Sequence, residues 1–582
     1  MKKTKLLSLL LSVIFVVSLL AGCGGGGTAE TTAPESTAPE TTAPETTAPS
    51  DGAYEITLNI ASEPQSIDPA LNSAVDGAIM LGHMFEGLMK WEDSGVEANG
   101  SDGTANNAAL TYGQAASYEK AENADGTVTY TFTLRDDAMW SDGQPVTAQD
   151  FVYSWQRLVT PETAADYNYM IDCVVNANEI MAGEKEPSEL GVSAPDEHTF
   201  VVTLVNDLPY FTEICAFPAT FPVRQDMIEA AGDQWTFDTA TYLSNGPYTM
   251  TAWNHNSEII MEPNQYYYDV ANLGPDKITF KLMDDQNAML SGFNSGELDF
   301  IEDVPQAEIA GLIASGDLKI VDYIGTYYVC YQTQKAPFDN PKVRQAFTLA
   351  VDRTYIVNQV TQSGQVEAGG FVPAGVYDAE GASGADFRTN GGDYYAPTDA
   401  DYEANCELAR QLLAEAGYPN GEDFPVVEYL YNTSDAHKAV AEALQYMWET
   451  ELGVTVTLNN QEWAVFLQTR KDGDYSIARN GWIADYNDPM SFLDMWLTGG
   501  GNNDAQYVNP EYDALIQAAK STTDPAERMQ AMHDAEDIII GQDWALNPLY
   551  FYTQKYMISD RINGMYYTPL GYFFFTYAQP NA

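Results

Sequence analysis

Apolar and polar positions along this chain follow two distinct periods. YEITLNI (54–60) and VTYTFTLR (128–135) alternate every second residue, which predicts strands, and Asp125-Gly126 ahead of the second is a turn signal. The helical period then takes over in DFVYSWQRLV (150–159). There Phe151, Trp155 and Leu158 share one face, and Thr147 with Asp150 fits a capping box at the start. Asn340-Pro341 reads as an N-cap and first-turn proline opening one helix through KVRQAFTLAVDRTYIVNQV (342–360). ELARQLLAEAGY (407–418) predicts a helix ending at Gly417, FPVVEYLY (424–431) a strand, HKAVAEALQYMWETEL (437–452) a helix and VTVTL (454–458) a further strand. This succession of helix and strand argues for α/β lobes. About 530 residues from Tyr54 onward exceed one hydrophobic core, so two or three domains are expected. No linker-like segment interrupts them, which predicts domains assembled from discontinuous pieces.

The N-terminal pattern is different. Lys2, Lys3 and Lys5 precede an apolar run from Leu6 to Leu20 and then Leu20-Ala21-Gly22-Cys23, which reads as a signal peptide over 1–22. A small-residue pair before cysteine resembles the bacterial lipobox, so Cys23 is the expected lipidation site, and two or more acyl chains give stable anchoring. The segment 23–53 continues with four glycines and a five-residue repeat that places Ala-Pro at 33–34, 38–39, 43–44 and 48–49. It holds no large aliphatic residue, and its regular prolines favour an extended spacer of about 3.1 Å per residue.

Charge and cysteine content exclude more than they select. Three of the 26 basic residues fall in the leader, leaving 23 against 84 acidic residues and a net charge of −61 beyond it, so nucleic acid is not expected as a partner. No other apolar stretch approaches the roughly 20 residues of a membrane span. Cys173, Cys215, Cys330 and Cys406 lie far apart without metal-type spacing and read as isolated buried thiols, with extracytoplasmic disulfides the alternative.

Catalytic signatures are missing: no GxSxG, HExxH, Walker loop or CxxC occurs, and the chain has five histidines. No catalytic residue, metal ligand or cofactor is assigned, and the chain is not expected to be an enzyme. The aspartate-rich stretch from Asp378 to Asp393 lacks the order of an EF-hand loop and reads as a solvated loop. GWIADYNDPMSFLDMW (481–496) is more informative, because it sets Asp485 and Asp488 among large apolar residues. An unpaired buried carboxylate is costly, so Asp485 is solvated, capped, catalytic or paired with an incoming cation. Asp488 before Pro489 reads as a turn-ordering residue and Trp496 as core. Arg470, Lys471 and Arg479 cluster just upstream. If SIARNGWIAD is extended, Arg479 and Asp485 lie roughly 20 Å apart along it, a spacing that suits either a zwitterion with separated ends or pairing within the protein.

Eight segments together carry a resemblance: SIDPA (66–70), FEGL (85–88), WSDGQPVTAQDFVYSWQRL (140–158), NGPYT (245–249), VRQAFTLAVDR (343–353), LLAEAGY (412–418), LYNTSDAHK (430–438) and FLQTRKDGDYSIARNGWIADYNDPMSFL (466–493). In this order they resemble the oligopeptide-binding proteins of ABC peptide importers, extracellular solute-binding proteins of family 5. The resemblance implies a periplasmic-binding-protein-like α/β fold, with two α/β lobes around a ligand cleft and an extra third domain. On that plan 54–86, 225–324 and 553–582 form lobe I, 87–224 domain II and 325–552 lobe III. It also implies that Asp485 pairs with a peptide's free α-amino group, that Trp482 lines the cleft with Arg470, that Arg479 and His437 help hold the C-terminal carboxylate, and that Tyr167 contacts the peptide backbone. His437 at a helix start is equally a cap or a solvated residue. A cysteine pair of some relatives falls on Gly325 and Ile483. Acidic cleft residues fall near Cys330 and Ser73, and a histidine falls on Lys471, implying a less acidic pocket of different shape.

The expected function is therefore a membrane-anchored lipoprotein on the extracytoplasmic face. It would capture short peptides in a closing cleft and deliver them to ABC permease subunits, acting as a monomer. A receptor for peptide signals or cell-wall peptides is the alternative, and an extracytoplasmic peptidase or chaperone a more distant one.

Overall fold

Two thirteen-residue strands, Lys319–Tyr331 and Leu546–Ile558, run through the centre of the computed structural model, which describes residues 52–581. The expectations for the signal peptide, Cys23 and the proline-rich spacer lie outside the described residues. Ala53–Ala582 form one compact unit, and no described helix is long and apolar enough to cross a membrane.

The two long strands pair antiparallel and tie an 11-stranded sheet together. On one side of them follow Ile477–Ile483, Val427–Asn432 and Val456–Gln461; on the other Phe300–Ile301, Glu55–Ile60, Lys277–Leu282, Glu258–Pro263 and Tyr248–Asn254, and Val366–Glu367 pairs with Leu546–Ile558 as the eleventh strand. Segments from both ends of the chain thus meet in one sheet. The register runs from Lys319 opposite Tyr556 to Asp322 opposite Thr553, slips, and resumes at Thr326 opposite Phe551. Such a slip bends the ribbon locally.

Two four-stranded sheets complete a mixed α/β architecture. One joins Met89–Glu97, Ala105–Tyr112, Met565–Tyr567 and Phe573–Phe574; the other is antiparallel, in the order Ala115–Glu122, Val128–Leu134, Thr199–Leu204, Val192–Asp196. Helix Ala148–Val159 covers this second sheet with the face read from its periodicity. Phe151, Trp155 and Leu158 are fully buried, and Trp155 meets Phe200 edge-on at 5.2 Å. The Asp150 carboxylate accepts from Thr147 N at 2.8 Å, as the capping box requires.

Several local readings change. The single helix expected over 342–360 is broken: helix Pro341–Leu349 stops, and Asp352 caps a new turn by accepting from Tyr355 N at 2.8 Å. The cause is Arg353, which is buried and donates to Pro548 O at 2.8 Å and Asn547 Oδ1 at 2.6 Å, so the chain must turn to pass it beneath strand Leu546–Ile558. The expected strands 424–431 and 454–458 begin at Val427 and Val456. Asp378 is not in a solvated loop: it is buried and accepts from Asn390 Nδ2 at 2.8 Å with His533 Nε2 at 3.0 Å. All four described cysteines are buried free thiols.

The SIDPA segment shows why its aspartate matters. Asp68 is 2 % exposed, receives two bonds from the Arg157 guanidinium at 2.8 and 2.6 Å, and accepts from Trp235 Nε1 at 3.0 Å and Ala70 N at 3.0 Å. It clamps the loop ahead of helix Val75–Met84 to helix Ala148–Val159. Asp68→Ala leaves Arg157 without its partner and should cost about 3 kcal/mol in denaturant unfolding; a loss below about 1 kcal/mol would show that the clamp contributes little.

Candidate functional site

A cleft of about 390 Å³ opens beside strand Ile477–Ile483, lined by Arg479 through Asp485 and, from other parts of the chain, by Val75, Asp76, Tyr167, His437, Trp463 and Tyr552. The strand lies between Lys319–Tyr331 and Val427–Asn432, so its neighbours hold its backbone at a fixed height along the cleft wall. Gly325 stands directly opposite Ile483, and a Cβ at Gly325 would come within 2.5 Å of Ile483 Cδ1. An isoleucine side chain therefore fills the place left by the glycine.

Just past the strand, Asp485 is 7 % exposed. Its Oδ1 accepts from the Tyr167 hydroxyl at 2.9 Å and its Oδ2 from Ser491 Oγ at 3.2 Å, while Asp485 N donates to Ser491 Oγ at 2.8 Å. No cation pairs with it among the described residues. Burial pushes its carboxyl well above the usual range, the two hydroxyl bonds opposing and Asp494 adding to the shift. The following turn is ordered as read: Asp488 Oδ1 accepts from Met490 N at 2.9 Å, and Trp496 is fully buried. Asp488 has a further partner that local sequence does not reveal, Arg528, which donates two bonds of 2.7 Å to it. The Trp482 indole is turned into the structure, donating to Ser491 O at 2.7 Å, while its ring faces Tyr167 at 6.1 Å.

Arg479 is held differently. Its guanidinium lies 5.4 Å from the Tyr327 ring and 5.9 Å from the Trp463 ring, and no carboxylate pairs with it among the described residues. His437 is third in helix Asp435–Leu452, capped by Ser434, with Nδ1 3.3 Å from the Tyr327 hydroxyl. Burial drives its pKa well below the usual value, and the nearby Arg479 and Lys555 charges drive it further, so the ring is neutral.

Arg470 lines the same cleft but is already paired: Nη2 is 3.3 Å from Asp504 Oδ2, and Nη1 bonds Asn480 Oδ1. Lys471 forms an ion pair with Asp166. Asp504 adds a carboxylate to the cleft. Cys330 lies 3.2 Å from the Tyr475 hydroxyl, and the carboxylate that meets Arg470 comes instead from a loop 34 residues downstream of it. Asp76 and Glu302 add two more carboxylates to the wall. Burial lifts them to about 6 and about 7 respectively, with the Trp463 indole bond at 3.1 Å opposing the shift at Asp76 and Lys555 opposing it at Glu302. Asp504, Asp76 and Glu302 are cleft carboxylates that sequence reading missed, and Ser491, which does not line the cleft, was missed as a partner of Asp485. Ser491 alone had a local signal, its position six residues after Asp485.

Against known proteins, residues 111–504 match the family described as "Bacterial extracellular solute-binding proteins, family 5 Middle". The chain belongs to this family. The periplasmic oligopeptide-binding protein OppA of Salmonella typhimurium is 36% identical over 514 residues, covering 87% of this chain and 88% of that protein. Among solved structures, Haemophilus influenzae OppA in complex with the peptide RPPGFSPFR superposes with a TM-score of 0.82 at 32% identity, over 91% of this chain and 100% of that one. The structure of the Escherichia coli murein tripeptide binding protein MppA gives a TM-score of 0.80 at 30% identity over 91% of this chain and 98% of that one. The unliganded open form of MppA gives 0.57 at 30% identity, over 91% of this chain and 97% of that one. This family 5 solute-binding protein thus has the family's multidomain α/β fold in an arrangement unlike that open form.

Tight packing behind the cleft strand is testable in this family 5 protein. A Cβ added at Gly481 would come within 2.4 Å of the Tyr552 hydroxyl oxygen. Gly481→Ala should therefore lower stability by roughly 1–3 kcal/mol, and adding Tyr552→Phe, which removes that oxygen, should restore most of it. Thermal unfolding of the two variants checks this; no recovery in the double variant would contradict the packing described.

Proposed function

We propose that this chain is the substrate-binding lipoprotein of an ABC peptide importer: it captures short peptides in a cleft that closes on them and delivers them to permease subunits. The observation that carries the reading is the buried Asp485 carboxylate without a cation, six residues along an extended strand from Arg479, a cation without a carboxylate. An extended peptide with free ends complements both. Its ammonium meets Asp485 beside Tyr167, and its carboxylate meets Arg479, with His437 donating a hydrogen bond at the same end. Trp482 forms the wall between them, and Arg470, neutralised by Asp504, borders a side-chain pocket. The peptide backbone adds to the cleft by strand-type hydrogen bonds, which read no side chain. The names of the relatives, OppA and an OppA–peptide complex among them, support this reading.

The remaining assignments belong to the same proposal. Lobe I comprises 54–86, 225–324 and 553–582, domain II 87–224 and lobe III 325–552, so that the register slip near Asp322 lies at the hinge. Cys23 carries the lipid that holds the protein, as a monomer, at the extracytoplasmic face of the cell membrane.

Calorimetry with free and N-acetylated tripeptides tests the amine assignment. Acetylation or Asp485→Asn should each weaken binding by about 3–5 kcal/mol. Equal affinity for both peptides would remove Asp485 from the role. The pH dependence follows in sign. The ammonium binds the carboxylate form, so a proton on Asp485 competes with it; because burial raises this pKa, binding is full above that pKa and lost as pH falls through it. Loss should begin at higher pH than for an ordinary carboxylate near 3.8, and Asp485→Asn should flatten this acid limb. An acid limb unchanged in the variant would assign the titration elsewhere.

A further inference from the structure

The segment carrying Asp485 makes a second set of contacts through residues that do not line the cleft. Tyr486 stacks on Tyr210 with ring centroids 4.1 Å apart and planes within 3°, and Asn487 N donates to Glu213 Oε2 at 3.0 Å. Beside them, Lys520, at the end of helix Pro510–Ser521, stands between two carboxylates on opposite walls: Nζ is 2.5 Å from Asp172 Oδ2 and 3.3 Å from Asp494 Oδ2. These side chains are 12 %, 14 % and 4 % exposed, so the group is largely withdrawn from water.

The charges under this contact do not balance. Asp488 is paired with Arg528 and Asp166 with Lys471, which leaves Asp172 and Asp494 sharing Lys520, while Glu213 accepts from Asn487 N and Asp485 from Tyr167 and Ser491. Asp494 is itself pushed up to about 7 by burial, with Lys520 opposing, and its charge in turn raises Asp485. Bringing the walls together without Lys520 would press Asp172 against Asp494 while Asp485 is also being buried. With Lys520 present, Asp172 and Asp494 share one cation, and a peptide ammonium at Asp485 supplies a second positive charge beside them.

We propose that Lys520 is a positioning residue that couples capture of a peptide's ammonium at Asp485 to closure of the cleft. This rests on the reading of Asp485 given above. Lys520 touches no part of the ligand; it allows the walls to meet, and the closed state is what retains the peptide. Its removal therefore acts on escape more than on entry.

The test uses the purified full chain, a library of tripeptides with free amino ends and the same library N-acetylated. Lys520→Met should raise the dissociation rate at least about tenfold and leave the association rate within about threefold. Its ligand-free melting temperature should fall, because buried Asp494 loses its cation, so the coupling is read from the dissociation rate and its rescue. Adding Asp172→Asn, which removes the charge Lys520 screens, should recover much of the loss. A dissociation rate at the wild-type value, or a loss matched by ligand-free destabilisation and not rescued by Asp172→Asn, overturns the coupling. If wild type binds neither library, or both equally, the amine reading falls and the coupling with it. If amine selectivity is intact and Lys520→Met is silent, only the coupling falls.

Discussion

A buried carboxylate with no cation is the constraint around which this molecule is arranged. Asp485 receives two hydroxyl groups, from Tyr167 and Ser491, which soften the cost of removing it from water without cancelling its charge. The groups that hold it come from three places: the end of a sheet strand, the turn that Asp488 and Arg528 fix, and a tyrosine from the opposite wall. A site assembled this way exists in full only when the walls are together. On the proposed reading, its deficit of positive charge is what makes closure depend on a ligand.

The sheet supplies the frame for that dependence. Strands Lys319–Tyr331 and Leu546–Ile558 extend through both halves of the 11-stranded sheet, so each half has a rigid edge and the two share only this ribbon at their junction. Motion concentrated at the slip between Asp322 and Thr326 would carry the Arg479–Asp485 strand as one body toward Tyr167, preserving the spacing of the two charged ends while changing their distance from the other wall.

Much of this was legible in the sequence where the signal is local. The capping box at Thr147–Asp150 and the buried face of Phe151, Trp155 and Leu158 follow from periodicity and spacing, and the structure has them; the run considered as extended over 476–485 is a strand over Ile477–Ile483 that ends before Asp485. What was not legible depends on partners distant in the chain. Arg353 breaks a helix because of carbonyl and amide groups near residue 547, Asp504 meets Arg470 across 34 residues, and Asp172 meets Lys520 across 348. The residues that the resemblance singles out, Tyr167, His437, Arg470, Arg479, Trp482 and Asp485, all line one cleft, where Asp504, Asp76 and Glu302, which local sequence does not mark, join them.

The central claim, that the cleft is completed by a ligand ammonium, is tested most directly by identifying what the protein carries when purified. Native followed by denaturing mass spectrometry of the isolated chain should release a mixture of short peptides with free amino ends. A ligand lacking an amine would contradict the account, because it would leave Asp485 buried and uncompensated.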